Sequence, residues 1–194
     1  MTDGLTENER VGHYVTMWNR AVEVNQHFND IEWRIRGLAL TVATFALGAA
    51  GVAARDSAQV LHISLGTLVL VVGLLLWYAF YFVDRWWYHP LLKASVRHAE
   101  SIENAIIPSL PQAGLSQAIT AGSPYRPTGL VKRLSGTEAD MHSDDKLLWF
   151  YRVGAAAMFL VAVVLQVGLF FADDEAGEQN EQIVKIDVDH HGRR

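Results

Sequence analysis

Two uncharged apolar runs, separated by five residues, constrain this chain more than any other feature in it. The first, GLALTVATFALGAAGVAA, occupies Gly37 to Ala54, and the second, VLHISLGTLVLVVGLLLWYAFYFV, occupies Val60 to Val83. As helices rising about 1.5 Å per residue they reach roughly 27 and 36 Å, bracketing a hydrocarbon layer about 30 Å thick. With just Arg55 to Gln59 between them, they predict a tight antiparallel transmembrane hairpin. A third run, Val153 to Ala172, is uncharged over another span of roughly 30 Å. The expected fold is an all-α integral membrane protein with three transmembrane helices, the first two a hairpin continued by a cytoplasmic helical coil.

Composition narrows the function. A soluble domain of 194 residues does not gather its apolar residues, 51% of the chain, into charge-free runs of this length. A net charge of −5 argues against a nucleic-acid partner held by bulk charge. The absence of cysteine removes disulfides, thiolate nucleophiles and cysteine-based zinc sites. No Gly-rich phosphate loop, HExxH or GxSxG occurs, and no charge lies inside a span. An enzyme and an ion-coupled transporter are therefore both disfavoured, and no cofactor or metal is expected. His190 and His191 beside Asp187 and Asp189 read as part of a solvated tail rather than as metal ligands.

Residues 1–36 read as a cytoplasmic amphipathic helix from about Glu7, with Val11, Tyr14, Trp18, Ala21, Phe28, Ile31 and Ile35 at helical spacing. They hold no early apolar segment with a small-residue cleavage site, so the first span reads as an uncleaved signal anchor. An aromatic belt from Trp77 to Tyr88 closes the second span at headgroup level. His89-Pro90 then calls for a kink or a fresh helix start. Residues 84–107 read as a return helix with Leu92, Ser95, Ala99, Ile102 and Ile106 on one face. Residues 108–145 hold four of the five prolines and read as a Pro/Gly-rich cytoplasmic loop with short helices at Leu115–Ala121 and Gly129–Leu134. Ser143 to Asp145 supplies an N-cap for the last helix, which residues 146–172 carry through the membrane. Asp173-Asp174-Glu175 is expected to end it, leaving an acidic polar tail over 173–194.

Folded back on each other, the helices flanking the hairpin are level where residue numbers sum to about 120. That register sets Trp18 against Ile102, Phe28 against Leu92 and Tyr14 against Ile106. It also pairs Arg20 with Glu100, Glu23 with Arg97, Glu32 with Arg85 and Arg36 with Asp84. Exposed ion pairs contribute about 0–1 kcal/mol each, so the match speaks for register more than for stability. Packing within one subunit and packing between two subunits both satisfy it.

Inside the first span, Gly37, Thr41, Thr44, Gly48 and Gly51 share one face; Gly66 and Gly73 do so in the second. Small residues at this spacing let helices approach closely. Two uses fit the stripe: packing against the neighbouring span, or a self-association or pore-facing surface. Gln166, the one strongly polar residue of the third span, reads as an interhelical hydrogen bond or a pore-lining group. His62 reads as an interfacial polar residue. Arg34, Arg36, Arg85, Lys93, Arg97, Lys146 and Arg152 crowd one set of membrane ends. By the positive-inside rule the N-terminus and the Pro-rich segment lie in the cytoplasm, with the hairpin tip and C-terminal tail outside.

HFNDIEWRIRGLALTV entering the first span and WWYHPLLKASVRHAESIE leaving the second resemble the bacterial two-transmembrane effector domains termed SLATT, over about Tyr14 to Ile107. The resemblance implies a small membrane protein that forms homo-oligomers in the lipid bilayer and perturbs or permeates it, as an antiviral or stress effector. It carries over no site residue, and the Pro-rich segment and third span depart from the pattern. The same architecture also serves a second use, a non-conducting anchor or scaffold that recruits a cytoplasmic protein partner through the coil and the loop.

Overall fold

In a computed structural model the chain is described over residues 4–55, 59–136 and 139–191, and it is mostly helical. Helix α1, Glu7–Arg55, runs unbroken for 49 residues from charged sequence into the first apolar run. Its start is a capping box: the Thr6 N–H and hydroxyl both donate to Glu9 Oε2 at 2.8 Å, and the Glu9 N–H returns to Thr6 Oγ1 at 3.4 Å. Asp56 to Ala58, the middle of the break between the runs, lies outside the described residues.

The second apolar run is not helical from its start. Strands β1, Gln59–Val60, and β2, Ile63–Ser64, pair antiparallel with Val60 opposite Ile63. Leu61 and His62 between them hold φ of 53° and 63°, the signature of a two-residue type I′ turn. β-Branched Val60 and Ile63 suit the strands, and the tight reversal leaves no room for a helical turn. The left-handed region costs an ordinary L-residue about 1–2 kcal/mol. Replacing Leu61→Asn together with His62→Gly should therefore raise the thermal midpoint of the detergent-solubilised protein. An unchanged or lowered midpoint would show that the turn carries no such strain.

Helix α2, Leu65–Phe82, passes through a wide π-helical turn, Val83–Tyr88, into α3, His89–Ile106. Pro90 in the first turn of α3 has no N–H to give the α ladder. The chain accommodates it by widening: the His89 N–H reaches back five residues to the Asp84 carbonyl. The expected kink is thus absorbed without a break. Residues five apart diverge by about 140° on an α-helix, yet Asp84 and His89 are both buried here.

Two short helices follow, α4, Leu115–Gly122, and α5, Gly129–Ser135, each within a residue of its sequence position. Tyr125 and Met141 exchange backbone hydrogen bonds of 3.1 and 2.8 Å, closing the segment that contains α5. Helix α6 covers Ser143–His191. Its cap is His142 rather than Ser143: the His142 carbonyl accepts the first N–H bonds, and Asp145 accepts the His142 N–H at 2.9 Å. The helix does not stop at Asp173-Asp174-Glu175, because acidic residues neither break the ladder nor clash within it. The side chains of His190 and His191 lie outside those described.

Among the described residues, three helices are long and apolar enough to cross a membrane. The chain divides into two compact units, Met1–Ala39 with Ala79–Arg152, and Leu40–Tyr78 with Val153–Arg194. In the first, Ala21 of α1 packs on Ala99, Ile102 and Ile106 of α3, flanked by Tyr14, Trp18 and Ala113. In the second, Ala46, Ala50, Leu70 and Ala162 form the core with Leu47, Val69 and Leu165. Small residues set the approach there. A Cβ on Gly66 would meet the Ala50 carbonyl at 2.8 Å, one on Gly73 the Ala46 methyl at 2.7 Å, and one on Gly154 would run into the Trp77 ring.

Candidate functional site

Buried polar side chains gather in the first unit, where the apolar runs begin and end. Arg36 is the last charged residue before the first run, Asp84 the first after the second, and Tyr151 stands two residues before the third. The Arg36 guanidinium donates from Nε to Asp84 Oδ2 at 2.9 Å and from Nη2 to Asp84 Oδ1 at 3.4 Å. The same Nη2 donates to Glu32 Oε2 at 2.6 Å, one turn back on α1. The Tyr151 hydroxyl adds a bond of 3.1 Å to Asp84 Oδ2. Asp84 is fully buried, and Glu32, His89 and Tyr151 nearly so.

His89 extends the network. Its Nδ1 lies 3.1 Å from Glu32 Oε1, and its Nε2 lies 2.9 Å from Asp144 Oδ1 without the alignment of a hydrogen bond. Asp144, at the head of α6, also takes Lys93 Nζ at 2.6 Å and the Arg85 guanidinium. Three carboxylates are thereby matched by three cations around one imidazole. Taking such charges out of water is costly, and mutual pairing with further hydrogen bonds is what makes it tolerable. Each carboxylate is engaged, and together they clamp α1, α3 and α6 to one another. Among the described residues no group of His, Asp and Glu is placed to hold a metal ion.

A second buried carboxylate, Glu103 of α3, holds the start of α4. The Trp18 indole donates to Glu103 Oε1 at 2.8 Å, and the Ser116 N–H lies 2.9 and 3.0 Å from the two carboxylate oxygens. The Gln117 N–H adds a longer bond of 3.4 Å. Gly114 at the N-cap of α4 has no side chain to offer, so Glu103 caps that helix from another. Burial works against the charged form, but the Ser116 and Trp18 donors outweigh it and hold the Glu103 carboxyl below its ordinary range.

The sequence-selected residues fall out as follows. Trp18 and Ile102 meet in the core of the first unit, while Phe28 and Leu92 are each half-buried. Arg36 bonds Asp84, but Glu32 turns to Arg36 and His89, and Arg85 turns to Asp144. Arg20 pairs with Glu23 along α1 at 2.7 Å, and Glu100 accepts the Thr120 hydroxyl at 2.6 Å. Arg97 enters no ion pair among the described residues. Gln166 binds the tip of the β-turn: its Oε1 accepts the Ser64 N–H and its Nε2 donates to the His62 carbonyl, both at 3.1 Å. Thr44 bonds back to the Leu40 carbonyl at 2.9 Å. Gly66 and Gly73 face close neighbours, whereas a Cβ on Gly37, Gly48 or Gly51 would meet nothing within 4 Å.

The sequence reading gives no pairing to Tyr151, His89, Asp144 or Glu103. A pairing register between two helices contains no third element, so the α6 contributions were outside its reach. Glu103 did leave a signal, being a carboxylate one residue from the Ala99–Ile102–Ile106 face, upstream of a helix whose N-cap is glycine. The first unit also carries an apolar groove of about 350 Å³, lined by Thr16, Met17, Arg20, Ala21 and Val24 of α1 with Ser95 and His98 of α3. Comparison of the chain with protein-family models, curated proteins and solved structures finds no match.

Proposed function

We propose that the protein is a three-span bacterial inner-membrane protein that self-associates through α1 and perturbs or permeates the membrane, as a stress or antiviral effector. The observation that carries this reading is the contrast between glycines. Gly66, Gly73 and Gly154 each abut another residue, while a Cβ on Gly48 or Gly51 would meet nothing within 4 Å. A small-residue face left free in a long apolar helix suits the close approach of another copy. Much of the apolar surface supports the membrane setting: Phe45, Leu75 and Phe171 are 75%, 66% and 67% exposed, an arrangement suited to lipid and unfavourable in water. The basic residues before the first and third runs favour a cytoplasmic N-terminus and an external C-terminus. The SLATT resemblance points the same way.

A non-conducting anchor is the second reading, favoured by the groove between α1 and α3, where Met17 and Val24 are exposed. One experiment separates the two. Inducible expression in a bacterial host, with membrane potential followed by a dye, is compared with a Gly48→Leu/Gly51→Leu variant at matched level. The effector reading expects the parent to depolarise the cells and the variant not to. The variant should not lose thermal midpoint, because a Cβ at either position meets nothing within 4 Å and leucine favours a helix over glycine by up to about 1 kcal/mol. An intact potential in cells expressing the parent would overturn constitutive permeation.

A further inference from the structure

The charge inventory at the clamp leaves a remainder. The buried carboxylates Glu32 and Asp84 and the half-buried Asp144 at that level are taken up by Arg36, Arg85, Lys93 and His89. Arg34 and Arg152 stand at the same level. Arg34 is two residues from Arg36, and Arg152 adjoins Tyr151, which bonds the same Asp84 carboxylate as Arg36. Both are exposed, and neither enters an ion pair or hydrogen bond among the described residues.

Their surroundings are equally specific. Trp33, Trp86 and Trp87 are 64%, 62% and 60% exposed, and all lie within three residues of Arg36 or Asp84. The faces of Trp33 and Trp86 are covered in part by the Arg36 and Arg85 guanidinium groups, at 5.8 and 5.9 Å from the ring centroids. Exposed indoles of this kind favour the headgroup layer, where one edge is apolar and the other wet. Each unpaired arginine is also close to an apolar run, three residues before Gly37 for Arg34 and directly before Val153 for Arg152.

We infer that Arg34 and Arg152 bind the phosphates of anionic phospholipids in the leaflet on the N-terminal side. A guanidinium presents a planar fork of donors that matches phosphate oxygens two at a time, and it is more weakly hydrated than an ammonium. Glu32, Asp84 and Asp144 are engaged within the unit, and Asp30, one turn before Arg34 on α1, forms no ion pair with it among the described residues. The inference rests on the membrane reading of the apolar runs and gives the clamp an outward counterpart. Acid pairs within the unit fix the helices, and the leftover cations fix the depth and lipid preference of their ends.

The full-length protein in detergent, titrated with short-chain phosphatidylglycerol or phosphatidylcholine while its thermal midpoint is followed, tests this. The parent should respond to the anionic lipid at lower concentration than to the zwitterionic one. Arg34→Gln and Arg152→Gln should each weaken that response about five-fold, and together about 25-fold. The double Lys variant should recover only part of it, because an ammonium has the charge without the planar fork, and Arg97→Gln, about 20 Å further along α3, should keep all of it. Equal responses of the parent to both lipids, or an undiminished response in the double Gln variant, would overturn the assignment. Alkaline extraction of membranes is run beside it. Release of the protein would sink the membrane reading and the lipid assignment with it, whereas retention with a lipid-indifferent midpoint would sink the assignment alone.

Discussion

Asp84→Ala is expected to destabilise the protein by about 3–5 kcal/mol, the range for removing one partner of a buried ion pair. Asp84 is wholly buried and accepts from Arg36 Nε, Arg36 Nη2 and the Tyr151 hydroxyl. Its loss leaves the Arg36 guanidinium with Glu32 alone and takes the acceptor from the Tyr151 hydroxyl. The cost arises from the orphaned partner and not from the lost pair itself. An Asp84→Leu/Arg36→Leu double variant should therefore recover much of the stability, since apolar replacement of both partners is often neutral or better. The comparison needs reversible unfolding in mixed micelles for the two singles and the double. Additive losses would mean that the two residues are not coupled, and that the clamp described here is not a unit.

Glu103→Ala should come next, with a loss of about 3 kcal/mol or more, because it leaves the Trp18 indole and the Ser116 N–H unsatisfied in a buried site. Its signature is local. Helix α4 loses its cap, so proteolysis within the 108–122 stretch should accelerate before the rest of the protein loosens. The charge has its own pH dependence. A carboxyl held below its ordinary value of about 4.3 stabilises the fold fully above that value, and the contribution fades as pH falls through the depressed folded value. The midpoint difference between the parent and Glu103→Gln should accordingly be constant near neutrality and shrink on acidification below about pH 4. A difference that stayed constant down to strong acid would show that the charge contributes nothing and that shape alone caps the helix.

How much of this was legible in the sequence depends on the range of the interaction. The apolar runs are written in composition, and the two short helices in the spacing of Pro and Gly. The level of Arg36 with Asp84 could be read because two long helices share one register, so a single sum locates many pairs. The partners of Glu32 and Arg85 could not, since each had a better option off that axis. Glu32 meets a histidine held inward by the π turn, and Arg85 an aspartate on a third helix. The start of the second apolar run was misread as helix for a different reason. Val60 to Ser64 is apolar enough for a span, and no glycine or asparagine marks the turn at Leu61-His62. Gln166, about 100 residues downstream, supplies the strand's missing backbone partners, and no local pattern contains it.

The wide turn at Val83–Tyr88 also bears on how chains of this kind can vary in length. Asp84 and His89 share a buried face although five positions separate them, whereas regular winding brings residues four apart into line. The helix thus holds one residue more than the pairing of these side chains requires. A related chain lacking one of residues 85–88 could wind as an ordinary α-helix and still present the aspartate and the histidine together. Single-residue insertions and deletions that would scramble a regular helix are therefore best tolerated here, and natural variation in length should concentrate between these two residues.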